Sequence, residues 1–182
     1  MSTTGGEALG VALALRLSVA AVFWLCGIVH LQRLVFGREE VCDLDGPVDG
    51  MHMAMAVYMA FMFCPGYSGR TDGPAAAVFL GMTAALAVRA VRHGADSGKA
   101  LRSAIAATGG AGMAYMLLAN SGNAVGVALA LLLAACTAAH VRQLRRTLRR
   151  RMRTGSRTPL VTGGPIASAV ITTGMVIMLL QM

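Results

Sequence analysis

Charged residues are scarce in this chain, at 13% of 182 residues, and aromatic residues make up only 5%. A soluble domain carries about twice that share of charge. No polar stretch is long enough to fold as a soluble domain of its own. The four cysteines, Cys26, Cys42, Cys64 and Cys136, form no CxxC pair, and two of them lie inside apolar runs, so no disulfide framework is expected. GxSxG, HExxH, Walker-type and dinucleotide-binding glycine motifs are all missing. No enzyme is therefore expected. Nothing basic precedes Arg16, so the first apolar run does not have the pattern of a signal peptide and is expected to stay as a helix. Lysine occurs once, at Lys99, against fifteen arginines.

What the chain does have is apolar length. Hydrophobic residues make up 56% and the mean hydropathy is +0.65. An α-helix needs roughly 20 mostly apolar residues to cross a bilayer. Apolar runs between charge clusters and turn residues fall at Leu9–Gln32, Val48–Cys64, Pro74–Val91, Ser103–Ala119, Ala124–Val141 and Leu160–Gln181. The expected fold is thus all-α, a single integral membrane bundle of about six transmembrane helices over residues 1–182. The second and fourth runs are short, and the fourth contains Gly109-Gly110-Ala111-Gly112, so a re-entrant segment is the alternative there.

The basic residues fix an orientation. Arg33 and Arg38 follow the first run, Arg89, Arg92, Lys99 and Arg102 bracket the third connection, and eight arginines fall between Arg142 and Arg157. The opposite connections carry only Arg70. By the positive-inside rule the basic loops face the cytoplasm and both termini face outward, in a bacterial cytoplasmic membrane. The net charge of +8 then reports orientation and not nucleic acid, and anionic lipid headgroups are the expected partner of the Arg142–Arg157 segment. Arg16 is the one charge inside a run, within reach of the outer surface by snorkelling or held by a buried partner.

The second run is the most distinctive. Met51, Met55, Met59 and Met62 fall within roughly 80° of one another on a helix, with His52 beside them. Thioethers bind Cu(I) without a charge or a deprotonation, so this stripe suits a soft cation, while flexible methionine also fills irregular cores. Met59, Met62, Met113 and Met116 fall in the outward halves of their helices, and His30, His52, His140, Cys26 and Asp49 at the cytoplasmic ends, with Glu39, Glu40, Cys42, Asp43 and Asp45 in the adjoining loop. A metal set of His52, Met55, Met59, Met62, Met113, Met116, His30, Cys26 and Asp49 follows. Asp49, three residues before His52, either orients that imidazole or caps the helix. His30, His52 and His140 lie at similar depth and are alternative axial ligands for one haem b.

The Asp49, His52, Met55, Met59 and Met62 series, with Gly112-Met113-Ala114-Tyr115-Met116 behind it, resembles a family of small multi-pass membrane proteins from actinobacteria classed as a domain of unknown function. That resemblance implies membrane location and no particular activity. The MxxxM spacing is also similar to that of copper-uptake channels, which have three spans per subunit. Two functions remain open: handling of a soft metal such as Cu(I), or a non-catalytic accessory subunit in a homo- or hetero-oligomeric membrane complex. In a cysteine-free background, Gly69→Cys and Ser121→Cys should react with an impermeant maleimide on intact cells, and Gly155→Cys only after permeabilisation. Labelling of Gly155→Cys in intact cells would reverse the orientation.

Overall fold

The computed structural model describes residues 4–36, 45–93, 98–119, 124–154 and 160–181. Six helices follow one another: α1 (Thr4–Phe36), α2 (Gly46–Met62), α3 (Asp72–Arg92), α4 (Gly98–Leu118), α5 (Ala124–Thr154) and α6 (Leu160–Gln181). No strand occurs among the described residues. Successive helices pair as α1 with α2, α3 with α4 and α5 with α6, and α1 also packs along α6.

Burial follows the logic of a membrane protein. Val11, Leu15, Leu25, Leu131 and Leu180 are each more than 60% exposed, while His30, Asp49, His52, Ser103, Ser168 and Thr172 are buried. Water would penalise that much exposed hydrocarbon, whereas lipid does not. Four helices are long and apolar enough to cross a bilayer, at Gly10–Phe36, Asp72–Arg92, Val125–Arg146 and Gly163–Gln181. Arg16 is exposed on α1, and no acidic partner meets it among the described residues.

Two helices run beyond their expected ends. Arginine is a good helix former, and α1 continues past Gln32, so Arg33 is a helical residue and not a loop one. Likewise α5 continues from Val141 to Thr154, carrying its arginines as a helical extension where a loop was expected. The glycine run does not interrupt α4, which is continuous from Gly98 to Leu118.

The reason for that glycine run lies on α2. Met51, Met55 and Met59 on α2 are fully buried. A Cβ on Gly109 would stand 3.1 Å from Met55 Sδ, and one on Gly110 would overlap Met51 Cε and Thr83 Oγ1. On α6, a Cβ on Gly174 would come within 2.6 Å of Phe23 Cζ and 3.0 Å of Met59 Cε. The methionines are knobs and the glycines their holes. Lipid supplies no hydrophobic drive between helices, so such close approach is what joins them. Gly110→Ala should therefore cost about 1–3 kcal/mol by overpacking, read as a lower unfolding midpoint in detergent. Gly81→Ala, where a Cβ meets nothing within 4 Å, should be neutral or stabilising.

Candidate functional site

The basic ends of the helices meet around a polar pocket. It holds His30 and Arg33 from α1, Asp45 just ahead of α2, Asp49 and His52 from α2, and His140 from α5. Arg102 of α4 and Ser168 of α6 complete its polar wall. The cavity measures about 50 Å³, room for a few water molecules.

Local sequence explains the convergence. The inward face of α1 runs Ala20, Phe23, Cys26, Gly27 and His30, one helical stripe whose last member is polar. Gly27 lets α2 come close, since a Cβ there would lie 3.4 Å from Val57 Cγ2 and 3.7 Å from Ala56 Cβ. His52 is thereby brought against His30, the two rings stacking with centroids 5.1 Å apart and planes 15° apart. His140 meets the other side of His52 edge-on at 5.7 Å.

Hydrogen bonds set the tautomers. His30 Nδ1–H donates to Asp49 Oδ1 at 2.7 Å, and His52 Nδ1–H donates to the Val48 carbonyl at 2.9 Å. A carboxylate and a carbonyl only accept, so each neutral ring keeps its lone pair on Nε2. His30 Nε2 accepts from Ser168 Oγ at 3.4 Å. His52 Nε2 and His140 Nε2 are buried with no hydrogen-bond partner among the described residues. Such nitrogens are costly to bury empty-handed and ready to accept a proton, a donor or a cation.

Asp49 is the charge centre. Arg33 Nε donates to its Oδ1 at 3.0 Å and Arg33 Nη2 to its Oδ2 at 3.4 Å. Gly164 gives the guanidinium its place, since a Cβ there would stand 2.5 Å from Arg33 Cζ. A second ion pair, Arg89 Nη1 to Asp45 Oδ1, ties α3 to the start of α2.

Several expectations are corrected by this geometry. Asp49 orients His30 and not His52, whose ring is held by its own helix, because the carboxylate points across to α1. Nor is Asp49 the helix cap: Asp45 holds that position and makes no side-chain capping bond. Met55, Met59, Met113 and Met116 are buried in one apolar core, the first two against glycine, and Met62 is only half-buried at the end of α2. Cys26 is buried one turn below His30 in the same core. Among the described residues, no three His, Cys, Asp or Glu side chains are arranged to hold a metal ion. Haem b does not fit either, because small-molecule sites span roughly 300–1,000 Å³ and this pocket offers about 50 Å³. Glu39, Glu40, Cys42 and Asp43 lie outside the described residues. Arg33, Arg102 and Ser168 were missed, the arginines because they were counted as loop charges. The signal for Arg33 was the i, i+3 spacing from His30.

Apolar outer faces, a buried polar cluster and four membrane-length helices define the class: a multi-pass helical membrane protein. The family model described as a domain of unknown function, DUF5134, matches residues 44–182, and the chain belongs to that family. The match takes in Asp49, His52, His140 and Ser168, while His30 and Arg33 on α1 lie ahead of it. No curated protein and no solved structure matches the chain.

Removing one member of a buried ion pair strands the other, at a cost on the order of 3 kcal/mol. Asp49→Asn should therefore lower stability in detergent by about that amount. Adding Arg33→Gln should recover part of the loss, since the two sites share one interaction. Additive losses in the double variant would show that Asp49 and Arg33 stand independently.

Proposed function

We propose that this protein is a six-span protein of the bacterial cytoplasmic membrane, termini outside, that binds a soft metal cation such as Cu(I) at the cytoplasmic-side histidine pocket. The observation that carries this reading is the pair of buried, unpartnered nitrogens, His52 Nε2 and His140 Nε2, on adjoining rings beside a cavity. Metal-bound imidazoles characteristically donate their other N–H to a carboxylate or carbonyl. Of the proposed pair, His52 does so through the Val48 carbonyl. Imidazole suits copper, and Cu(I), a d¹⁰ ion, is satisfied by two ligands in line. The pair therefore does not require a third donor.

In this reading the ligands are nitrogens, and the methionine stripe serves as the packing that positions them. The protein is a binding or delivery module with no catalytic group of its own. The exposed guanidiniums of Arg142, Arg145, Arg146 and Arg149, which repeat along one face of α5, rest against anionic headgroups, each contributing around 1 kcal/mol.

Purified protein titrated with Cu(I) against a coloured chelator should bind close to one equivalent. His52→Ala and His140→Ala should each abolish that binding. The triple exchange of Met55, Met59 and Met62 to leucine, which keeps volume and costs under about 1.5 kcal/mol per site, should retain it. Loss in the triple variant with retention in the histidine variants would move the site back to the thioethers. No binding by the parent protein would overturn the metal reading in favour of an accessory subunit.

A further inference from the structure

On the far side of the Asp45–Arg89 ion pair from the histidines lies a second concavity. It is a groove of about 310 Å³ between α2 and α3, lined by Pro47, Gly50, Met82, Ala85, Leu86 and Arg89. Helices α2 and α3 barely touch, whereas α3 packs closely along α4, so the groove is a gap left between two hairpins. Gly50 leaves it open: a Cβ there would meet nothing within 4 Å. Five of the six lining residues are apolar or lack a side chain, and the sixth is a cation in the last turn of α3.

We infer that this groove seats one acyl chain of an anionic phospholipid, with the lipid phosphate at Arg89. The occupant follows from the lining and from the position. An apolar slot along a membrane-length helix faces hydrocarbon, and a guanidinium at the helix end meets the phosphate layer. Arg89 uses Nη1 on Asp45 and Nε on His93 Nε2. A guanidinium carries five N–H groups in a planar fork. Its Nη2 has no partner among the described residues and can donate to a phosphate oxygen.

The consequence reaches the pocket. Asp45 lines the histidine cavity and Arg89 lines the groove, so their ion pair is the wall between the two. A phosphate on Nη2 shares the positive charge of Arg89 with Asp45 and so weakens the hold of the guanidinium on a carboxylate that lines the histidine cavity. Lipid seating is thus coupled to the charge of the pocket, whatever the pocket binds.

The test uses full-length protein in nanodiscs of phosphatidylcholine, with phosphatidylglycerol added at a low fraction, and counts the lipids retained by native mass spectrometry. Wild-type protein should retain one phosphatidylglycerol in preference to phosphatidylcholine. Gly50→Leu, which fills the groove from a position with open space, should lose it at least 10-fold while keeping the unfolding midpoint. Arg89→Lys keeps a charge for Asp45 but removes the fork, and should weaken the preference for phosphatidylglycerol. Equal retention of both lipids by wild type, or undiminished retention by Gly50→Leu, would overturn the proposal. Because the readout is lipid retained in metal-free buffer, a failure here leaves the copper reading standing, and a failure to bind Cu(I) leaves this one standing.

Discussion

Everything at the basic end of the bundle depends on how closely α2 can approach its neighbours. Between lipid-embedded helices there is no hydrophobic gain to spend on association, so dispersion contacts and shape must suffice. Methionine is long and flexible enough to reach, and glycine leaves the space to be reached into. Met51 and Met55 against Gly110 and Gly109, with Met59 against Gly174, lock α2 between α4 and α6. Gly27 does the same towards α1. Once α2 is held there, His52 has no other place than between His30 and His140.

The polar cluster so assembled is expensive, and its wiring shows how the cost is met. Asp49 receives hydrogen bonds from both His30 and Arg33, so the carboxylate leaves water without losing its partners. Among the described residues, His52 is hydrogen-bonded to its own helix, through the carbonyl of Val48. That local tie holds one nitrogen and leaves Nε2 buried without a partner among the described residues. The opposite end is closed differently. Tyr58 donates to Asp72 at 2.8 Å and Tyr67 donates to the same carboxylate, through a turn that needs the positive φ of Gly66 and Gly69. Desolvation, together with Asp72, pushes the Tyr67 hydroxyl above its ordinary pKa, so it remains a donor throughout the physiological range. The carboxylate of Asp72 is thus met by two hydroxyls, whereas the histidine end holds bonding capacity unmet among the described residues.

The helical architecture was legible because apolar length and turn residues are local properties. The largest error lies beyond Val141, where arginines continue α5, with smaller ones at both ends of α1 and at the start of α4. The depth of His30, His52 and His140 was also legible, since depth follows from counting along each span. Partnership was not. Whether Asp49 reaches His52 on its own helix or His30 on the next depends on interhelical distance, and that distance is set by glycines whose partners are remote in sequence. The methionine stripe and the glycine run each looked unusual alone, and neither showed that it was half of one contact.

The two halves of the basic end also differ in how freely they can change. The histidine side is walled by α1, α2, α5 and α6 together with Arg102 of α4, while α3 meets α2 only loosely and through the Asp45–Arg89 pair. An ion pair spanning a loose seam is the natural point at which a small charge change becomes a displacement, because a well-packed core does not deform gradually. Asp45 keeps one oxygen, Oδ2, buried and without a partner among the described residues. The polar groups that line its cavity among the described residues are those of the histidine site. The Asp45–Arg89 pair is therefore the point at which the seam between α2 and α3 adjoins the histidine pocket.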